Sequence, residues 1–378
     1  MNKKEVIEKC IQLIEQNYYF IGNQRAEWDK DKTRILSEVN NTKTDDEIFE
    51  MFNQHIYELK DPHTRFFYKV CPVYIIPESL YFDHGVLWYY QENKYIKVVS
   101  VNFVNIEQLL QEYQKKLSGY PSALIEDEII KDIQLLQCKF KGDHITLECE
   151  WGEKVCLYPV LFNQWLENIH SETPNKGLDP IYIDRIDQQT ICIRILSFRV
   201  HELYEYLKEK IKVYNGEYST VIFDIRNNIG GYVEETKQIV RGIIKNKVDL
   251  GYSISYIKEG NIIESRCEIA PDTERLFNNK RFFVFVNYRT MSAAEYIFAK
   301  ALQQDGVCIV GEESAGLKDQ AEVFAIDKDL LMQITTKRFL KNGKYLQEKV
   351  VPDISINSVA TYPKTQDPYI VWYKQFVA

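Results

Sequence analysis

The chain has 378 residues, 45% of them hydrophobic, which is ordinary globular composition and excludes a disordered chain; the length predicts two or three domains. With 47 basic and 55 acidic residues the formal net charge is -8, and no basic cluster could track a phosphate backbone, so no nucleic-acid partner is expected. No segment approaches the roughly 20 apolar residues that cross a bilayer.

The chain opens with "MNKKEVIEKCIQLIEQNYYF", in which Glu5, Glu8 and Glu15 interrupt the apolar positions, unlike a signal peptide; a cytoplasmic location is expected. Apolar spacing of three and four in "VIEKCIQLIEQ" and "DDEIFEMFNQHIYEL" predicts a helical region over residues 1–70. It closes on "ELKDPHTRFF", where Asp61-Pro62 makes a turn that fixes the direction of His63. A lone loop histidine is more often structural or solvated than catalytic.

Residues 71–170 change to short runs rich in Tyr, Val and Ile, such as "YIKVVSVNF" and "HITLECEW", around the helical "IEQLLQEYQKKL". This is a small mixed α+β domain, with "HSETPNKGLDP" as its linker. Eight cysteines without a C-x-x-C pair read as core thiols rather than disulfides or zinc ligands.

Residues 178–378 have an α/β rhythm. "YSTVIFDIR" is a continuous apolar strand, "NNIGG" breaks it, and "VEETKQIVRGII" follows as a helix; "RFFVFVNY", the helix "SAAEYIFAKALQQ" and "GVCIVGEE" repeat the order. A parallel sheet follows, with its site at the carboxyl ends of the strands. "NNIGG" and Ser292 therefore share one rim.

Ser292 has two readings there. Ser-x-x-Glu is a capping box, in which Ser292 accepts from the N–H of Glu295 and Glu295 reaches back. The same hydroxyl at a helix N-terminus also has N–H groups and the dipole's positive end beside it, where an oxyanion would be stabilised. Gly230 and Gly231 are a bare tight turn, or backbone that approaches a ligand closely. Lys318, in "GEESAGLKDQAE", is a solvated charge or a base.

Taken together, "LKDPHTRF", "VIFDIRNNIGG", "FVFVNYRTMSAAEYIFAKAL", "IVGEESAG" and "ITTKRFLKNGKYLQEKVVPDI" resemble, in order, the serine peptidase family of the C-terminal processing (tail-specific) proteases and the tricorn core protease. The resemblance implies a ClpP/crotonase-like core, and a middle domain standing where many relatives carry a PDZ-like one. It places the nucleophile at Ser292 and the oxyanion hole at the N–H groups of Ala293 and of Gly230 or Gly231.

The base is where the sequence departs from the processing-protease pattern. The position of their lysine is Leu317, and Lys318 comes one residue late, with Glu322 four residues further on. Asp319 and Glu322 favour a charged Lys318, whereas a lysine base must be neutral. Tricorn-like relatives use a histidine, which maps onto His63; a supporting carboxylate maps near Gln347 or Glu348, with Lys349 where that pattern has glycine.

The expectation is a serine endopeptidase-like hydrolase acting on a peptide or protein, with His63 as the base and Lys318 the alternative. No metal or organic cofactor is implied. The other reading is a catalytically impaired peptide-binding or scaffold protein on the same fold, motivated by the missing lysine at 317 and glycine at 349. An acyl-CoA enzyme on a crotonase-type core has less support, because "VVPDI" and Ser-x-x-Glu follow the peptidase pattern.

Overall fold

The computed structural model describes residues 3–20, 24–39, 45–68, 74–76, 79–92, 94–136, 144–161, 179–214, 216–257, 261–327, 330–341, 344–345, 349–356 and 367–377. The linker expected at "HSETPNKGLDP" lies, up to residue 178, outside them.

Helices Lys3–Asn17 and Asp45–Tyr57 form where the apolar spacing predicts, and Gln24–Glu38 is a further helix between them. They bury Ile7, Ile14, Trp28, Ile35 and Phe52 together with Met332 and Ile334 of the long strand Leu330–Lys341. The helical region stops at Tyr57, short of the expected boundary. Arg65–Tyr68 is a strand, paired antiparallel with Leu330–Lys341 in the register Arg65↔Gln333 to Tyr68↔Leu330. The aromatic run "RFFY", after a Pro turn, takes the extended state because a partner strand is available far along the chain.

Leu330–Lys341 also pairs with Val248–Ile257 and Gln320–Asp327, so the end of the helical region is built into a sheet of the third region.

The middle region is an antiparallel sheet of Ser79–Asp83, Val86–Gln91, Lys94–Val101, Ile145–Cys149 and Lys154–Leu157. Helices Ile106–Lys116 and Ser122–Lys131 cover it. Ile145, Leu147 and Cys149 alternate inward with the period of two that a half-buried strand requires. Met291 and Leu317 of the third region belong to this core.

Polar contacts tie the two regions at the same place. Glu126 accepts from the Gly85 N–H (2.8 Å), the Tyr288 hydroxyl (2.9 Å) and Arg289 (2.7 Å). His84 lies against Tyr288 at 4.3 Å between ring centroids, and hydrogen bonds to Asp83 and Glu312 push its imidazole up to about 10, so it is cationic at neutral pH.

The third region is a sheet in the order Ile181–Asp187, Thr190–Ile195, Thr220–Asp224, Arg281–Val286, Cys308–Gly311, Ile354–Ser355. The first pair is antiparallel and the others are parallel. Val221 and Phe223 face one core with the helices, and Ile222 and Phe285 face another under the C-terminal helix Pro368–Phe376. Covering both faces explains the unbroken apolar runs; each buried Phe or Ile contributes roughly 1.5–3 kcal/mol. Among the described residues no helix is long and apolar enough to cross a membrane.

Candidate active site

The parallel register Phe223↔Val284 and Asp224↔Phe285 brings the loops after two strands side by side, as the βαβ reading predicts. They are then stitched together. Met291 donates its N–H to the Asn228 carbonyl (3.0 Å), the Thr290 hydroxyl donates to the Ile225 carbonyl (3.0 Å), and Asn227 N–H donates to Asn287 Oδ1 (2.9 Å). Asn228, fully buried, anchors the glycine loop by donating from Nδ2 to the Ile195 carbonyl (2.8 Å).

This stitching sets Gly230 against Ser292. A Cβ on Gly230 would lie 2.8 Å from both the Ser292 Cβ and the Ala293 N, and the residue has φ +89°, so only glycine fits. A Cβ on Gly231 would lie 2.2 Å from the carbonyl carbon of Phe198 and 2.4 Å from the Arg199 N. The two glycines differ as donors. Gly230 N–H is taken by Asn228 Oδ1 at 2.9 Å, whereas among the described residues the N–H groups of Gly231 and Ala293 have no acceptor.

Ser292 is half-buried and has φ +56°, an uncommon backbone state for a residue with a Cβ, which functional sites tend to retain. The capping box does not form. The helix that begins at Ala294 has no side-chain cap, its first six residues are π-helical, and Glu295 turns away from Ser292. The Glu295 carboxylate accepts instead from the Gly316 N–H (2.8 Å) and so braces the 314–317 loop. The reason is burial: Glu295 is 1% exposed, and its Oε1 has no hydrogen-bond partner. Burial pushes the carboxyl up to about 8, against the pull of Ser314, the Gly316 and Leu317 N–H groups and the Lys318 charge.

His63 comes from the other side. Asp61, buried, accepts from the His63 backbone N–H (3.0 Å) and the Thr64 hydroxyl (2.8 Å). Its charge faces Arg338 at 3.2 Å, and although burial raises its pKa the guanidinium holds the carboxyl below the usual range. Gln333 Nε2 donates to the His63 carbonyl (2.8 Å), and Thr335 N–H donates to Thr64 Oγ1 (3.1 Å). Burial lowers the His63 imidazole to about 4; the Asp61 carboxylate opposes this, while Arg65, Arg338 and Arg199 add to it. His63 is therefore neutral at pH 7. Arg199 is the link to the rim, since its backbone abuts Gly231. Among the described residues no hydrogen bond joins His63 to Ser292.

Lys318 is buried, with its ammonium 5.7 Å from the centre of the Tyr296 ring and close enough to Glu295 to act on its carboxyl. Asp319 faces Arg338 (2.9 Å) and the Phe339 N–H (3.2 Å), and Glu322, exposed, accepts from the Thr336 hydroxyl (3.2 Å). Leu317 packs in the apolar core shared with Met291. Gln347 and Glu348 lie outside the described residues; Lys349 is exposed and pairs with Glu313 at 3.4 Å.

Two contributors escaped the sequence reading. In the sequence Asn228 reads only as part of the "NNIGG" turn and Arg338 is not singled out, yet both are buried anchors. A signal for Arg338 was its place in "QITTKRFL", whose apolar alternation points some of its polar residues inward.

Residues 189–356 match the family model described as Peptidase family S41. Among curated proteins no sequence matches the chain. Solved structures do. Mature CPAF superposes with a TM-score of 0.69 at 12% identity, covering 94% of this chain and 92% of that one. The photosystem II D1 C-terminal processing protease gives 0.55 at 14% identity, covering 94% of each chain. A peptidase from Parabacteroides merdae gives 0.52 at 15%, covering 94% and 90%. At these identities the likeness is one of fold.

Proposed function

We propose that this chain, whose residues 189–356 match peptidase family S41, is a serine peptidase of the C-terminal processing protease kind on a ClpP/crotonase-like core, with Ser292 as nucleophile and His63 as general base. Ser292 Oγ attacks a peptide carbonyl carbon as its proton passes to the His63 imidazole. The carbonyl oxygen, now negative, takes hydrogen bonds from Gly231 and Ala293. The C–N bond then breaks, the imidazolium returns its proton to the leaving amine, and water repeats the cycle on the acyl-enzyme. Preorganised donors of this kind are worth about 3–4 kcal/mol each.

The observation that carries the reading is the fit of Gly230 against Ser292 and Ala293. A bare turn has no need of contact with a serine in a left-handed conformation. The neutral His63 suits a base, whereas Lys318 holds its ammonium 5.7 Å from the centre of the Tyr296 ring, an arrangement that suits a cation. The middle domain takes the place of the relatives' PDZ-like one and lacks a glycine-rich carboxylate-binding loop.

A fluorophosphonate probe tests this directly. Labelling that vanishes in Ser292→Ala, falls strongly in His63→Ala and survives Lys318→Ala supports the reading. Loss in Lys318→Ala alone would transfer the base to Lys318. No labelling at all, with peptide binding intact, would make the chain a scaffold.

A further inference from the structure

Basic groups around the candidate site are nearly all matched by carboxylates. Arg65 faces Glu128 at 3.6 Å, Arg226 faces Asp224 and Asp367 at 2.7 and 2.6 Å, Arg289 faces Glu126 at 2.7 Å, and Arg338 faces Asp61 and Asp319 at 3.2 and 2.9 Å. Arg199 is the exception. It is exposed, and among the described residues no carboxylate pairs with it. The chain has 55 acidic residues for 47 basic ones, so a shortage of acids does not explain this.

Its position is fixed rather than incidental. Phe198 bridges Gly231 in parallel register, donating its N–H to the Gly230 carbonyl (3.1 Å) and accepting from the Tyr232 N–H (3.0 Å). The Arg199 N–H is held by Ser197 Oγ at 3.1 Å. The root of the side chain is thus clamped against the glycine whose N–H is free, one residue from the glycine that touches Ser292. Ile229 and Tyr232, 40% and 45% exposed, flank Gly230 and Gly231 in the chain, and His201 stacks on Tyr232 with ring centroids 4.5 Å apart. Exposed apolar surface beside an unmatched guanidinium suits an extended peptide that carries a negative charge.

We infer that Arg199 is a specificity residue that pairs with a substrate carboxylate near the bond being cleaved. The inference rests on the peptidase reading of Ser292. The carboxylate is either an acidic side chain or the C-terminus of the substrate; both offer two oxygens to the planar guanidinium fork.

The test uses the full chain and quenched fluorescent peptides in matched sets: Glu, Gln or Lys scanned through each position, with a free or amidated C-terminus. At pH 8 the His63 imidazole is neutral with or without the Arg199 charge, so changes in the base drop out. A hydrogen bond between charged groups that is partly shielded on binding is worth roughly tenfold. Wild type is expected to favour the carboxylate peptide over its amide by about that factor in kcat/KM, mostly through KM. Arg199→Gln should bring the ratio close to one, Arg199→Lys should keep part of it, and Arg199→Glu should turn the preference toward Lys. Loss of preference on amidation assigns the terminal carboxylate, and loss on Glu-to-Gln exchange assigns a side chain. An unchanged ratio in Arg199→Gln overturns the inference. The same peptides are titrated by fluorescence anisotropy against Ser292→Ala and Ser292→Ala/Arg199→Gln. A carboxylate preference that depends on Arg199, in a protein whose Ser292 takes no probe, would sink the peptidase reading and leave only the carboxylate contact of Arg199 standing. A labelled Ser292 with no such preference would do the reverse.

Discussion

The serine and the histidine of the candidate site are held by two different kinds of structure. Ser292 stands on a loop whose neighbours are supplied by adjacent strands of one parallel sheet, and its geometry comes from backbone: a glycine without a Cβ, two shared carbonyls and a buried asparagine. His63 stands on a turn fixed by residues some 270 positions away, through the side chains of Gln333 and Arg338 and the backbone N–H of Thr335. The first arrangement is rigid because it follows from sheet register. The second depends on buried charges, so it should be the easier to disturb.

Removing the proton-transfer groups should give the largest effects. His63→Ala is expected to lower kcat/KM by about 10²–10⁴-fold with little change in melting temperature, since among the described residues only its backbone is hydrogen-bonded. A loss of stability as large as the loss of rate would show that the turn, and not the base, had been removed.

Next comes Gly230→Ala. The added methyl meets Ser292 and Ala293 at 2.8 Å, so Ser292 must shift, and a displaced nucleophile should lose about 10²-fold in probe labelling rate. Normal labelling in this variant would show that the rim is softer than its register implies.

Asp61→Asn tests the other support. It leaves Arg338 with one buried carboxylate, Asp319, in place of two, and the expected cost is about 3 kcal/mol in denaturant unfolding, with labelling reduced because the turn loosens. A fall in activity without any in stability would instead assign Asp61 a role in orienting the imidazole.

Two pH profiles are subtler. A His63 pKa of about 4, below its usual 6.5, puts the acid limb of kcat/KM near pH 4, and a limb near 6.5 would show that the imidazole is not desolvated in solution. The same depression makes a stability contribution that is full above pH 6.5 and is lost as pH falls toward 4. Glu295 runs in the opposite sense. Its carboxyl is raised from 4.5 to about 8, so its favourable contribution is complete below pH 4.5 and disappears as pH rises to 8. Glu295→Gln keeps an acceptor for Gly316, and its melting temperature should gain on wild type across that interval, most at its alkaline end.

The same contrast explains what was legible in the sequence. Unbroken apolar strands, paired glycines and a serine before a helix are local patterns, and they located the rim loops. Their joint order gave the resemblance to the family whose model matches residues 189–356. The capping box was a local pattern too, but it failed because burial of Glu295 sends its carboxylate to the 314–317 loop, a tertiary effect that no four-residue window contains. The strand Arg65–Tyr68 was hidden for a similar reason, since its partner lies in Leu330–Lys341. The anchoring of Asp61 by Arg338 joins residues 277 positions apart and leaves no periodicity to read.

That long-range pairing also sets an order in time. A chain emerging from the ribosome completes the rim carrying Gly230 and Ser292 before Gln333, Thr335 and Arg338 have been made. Until they arrive, the turn that aims His63 lacks the strand it pairs with and the cation that neutralises Asp61. Loop closure over such a distance is slow compared with local structure. On the proposed reading, a nascent chain that has reached Ser292 carries the nucleophile without its base, and is inert toward neighbouring nascent chains until residues 333–338 have been made.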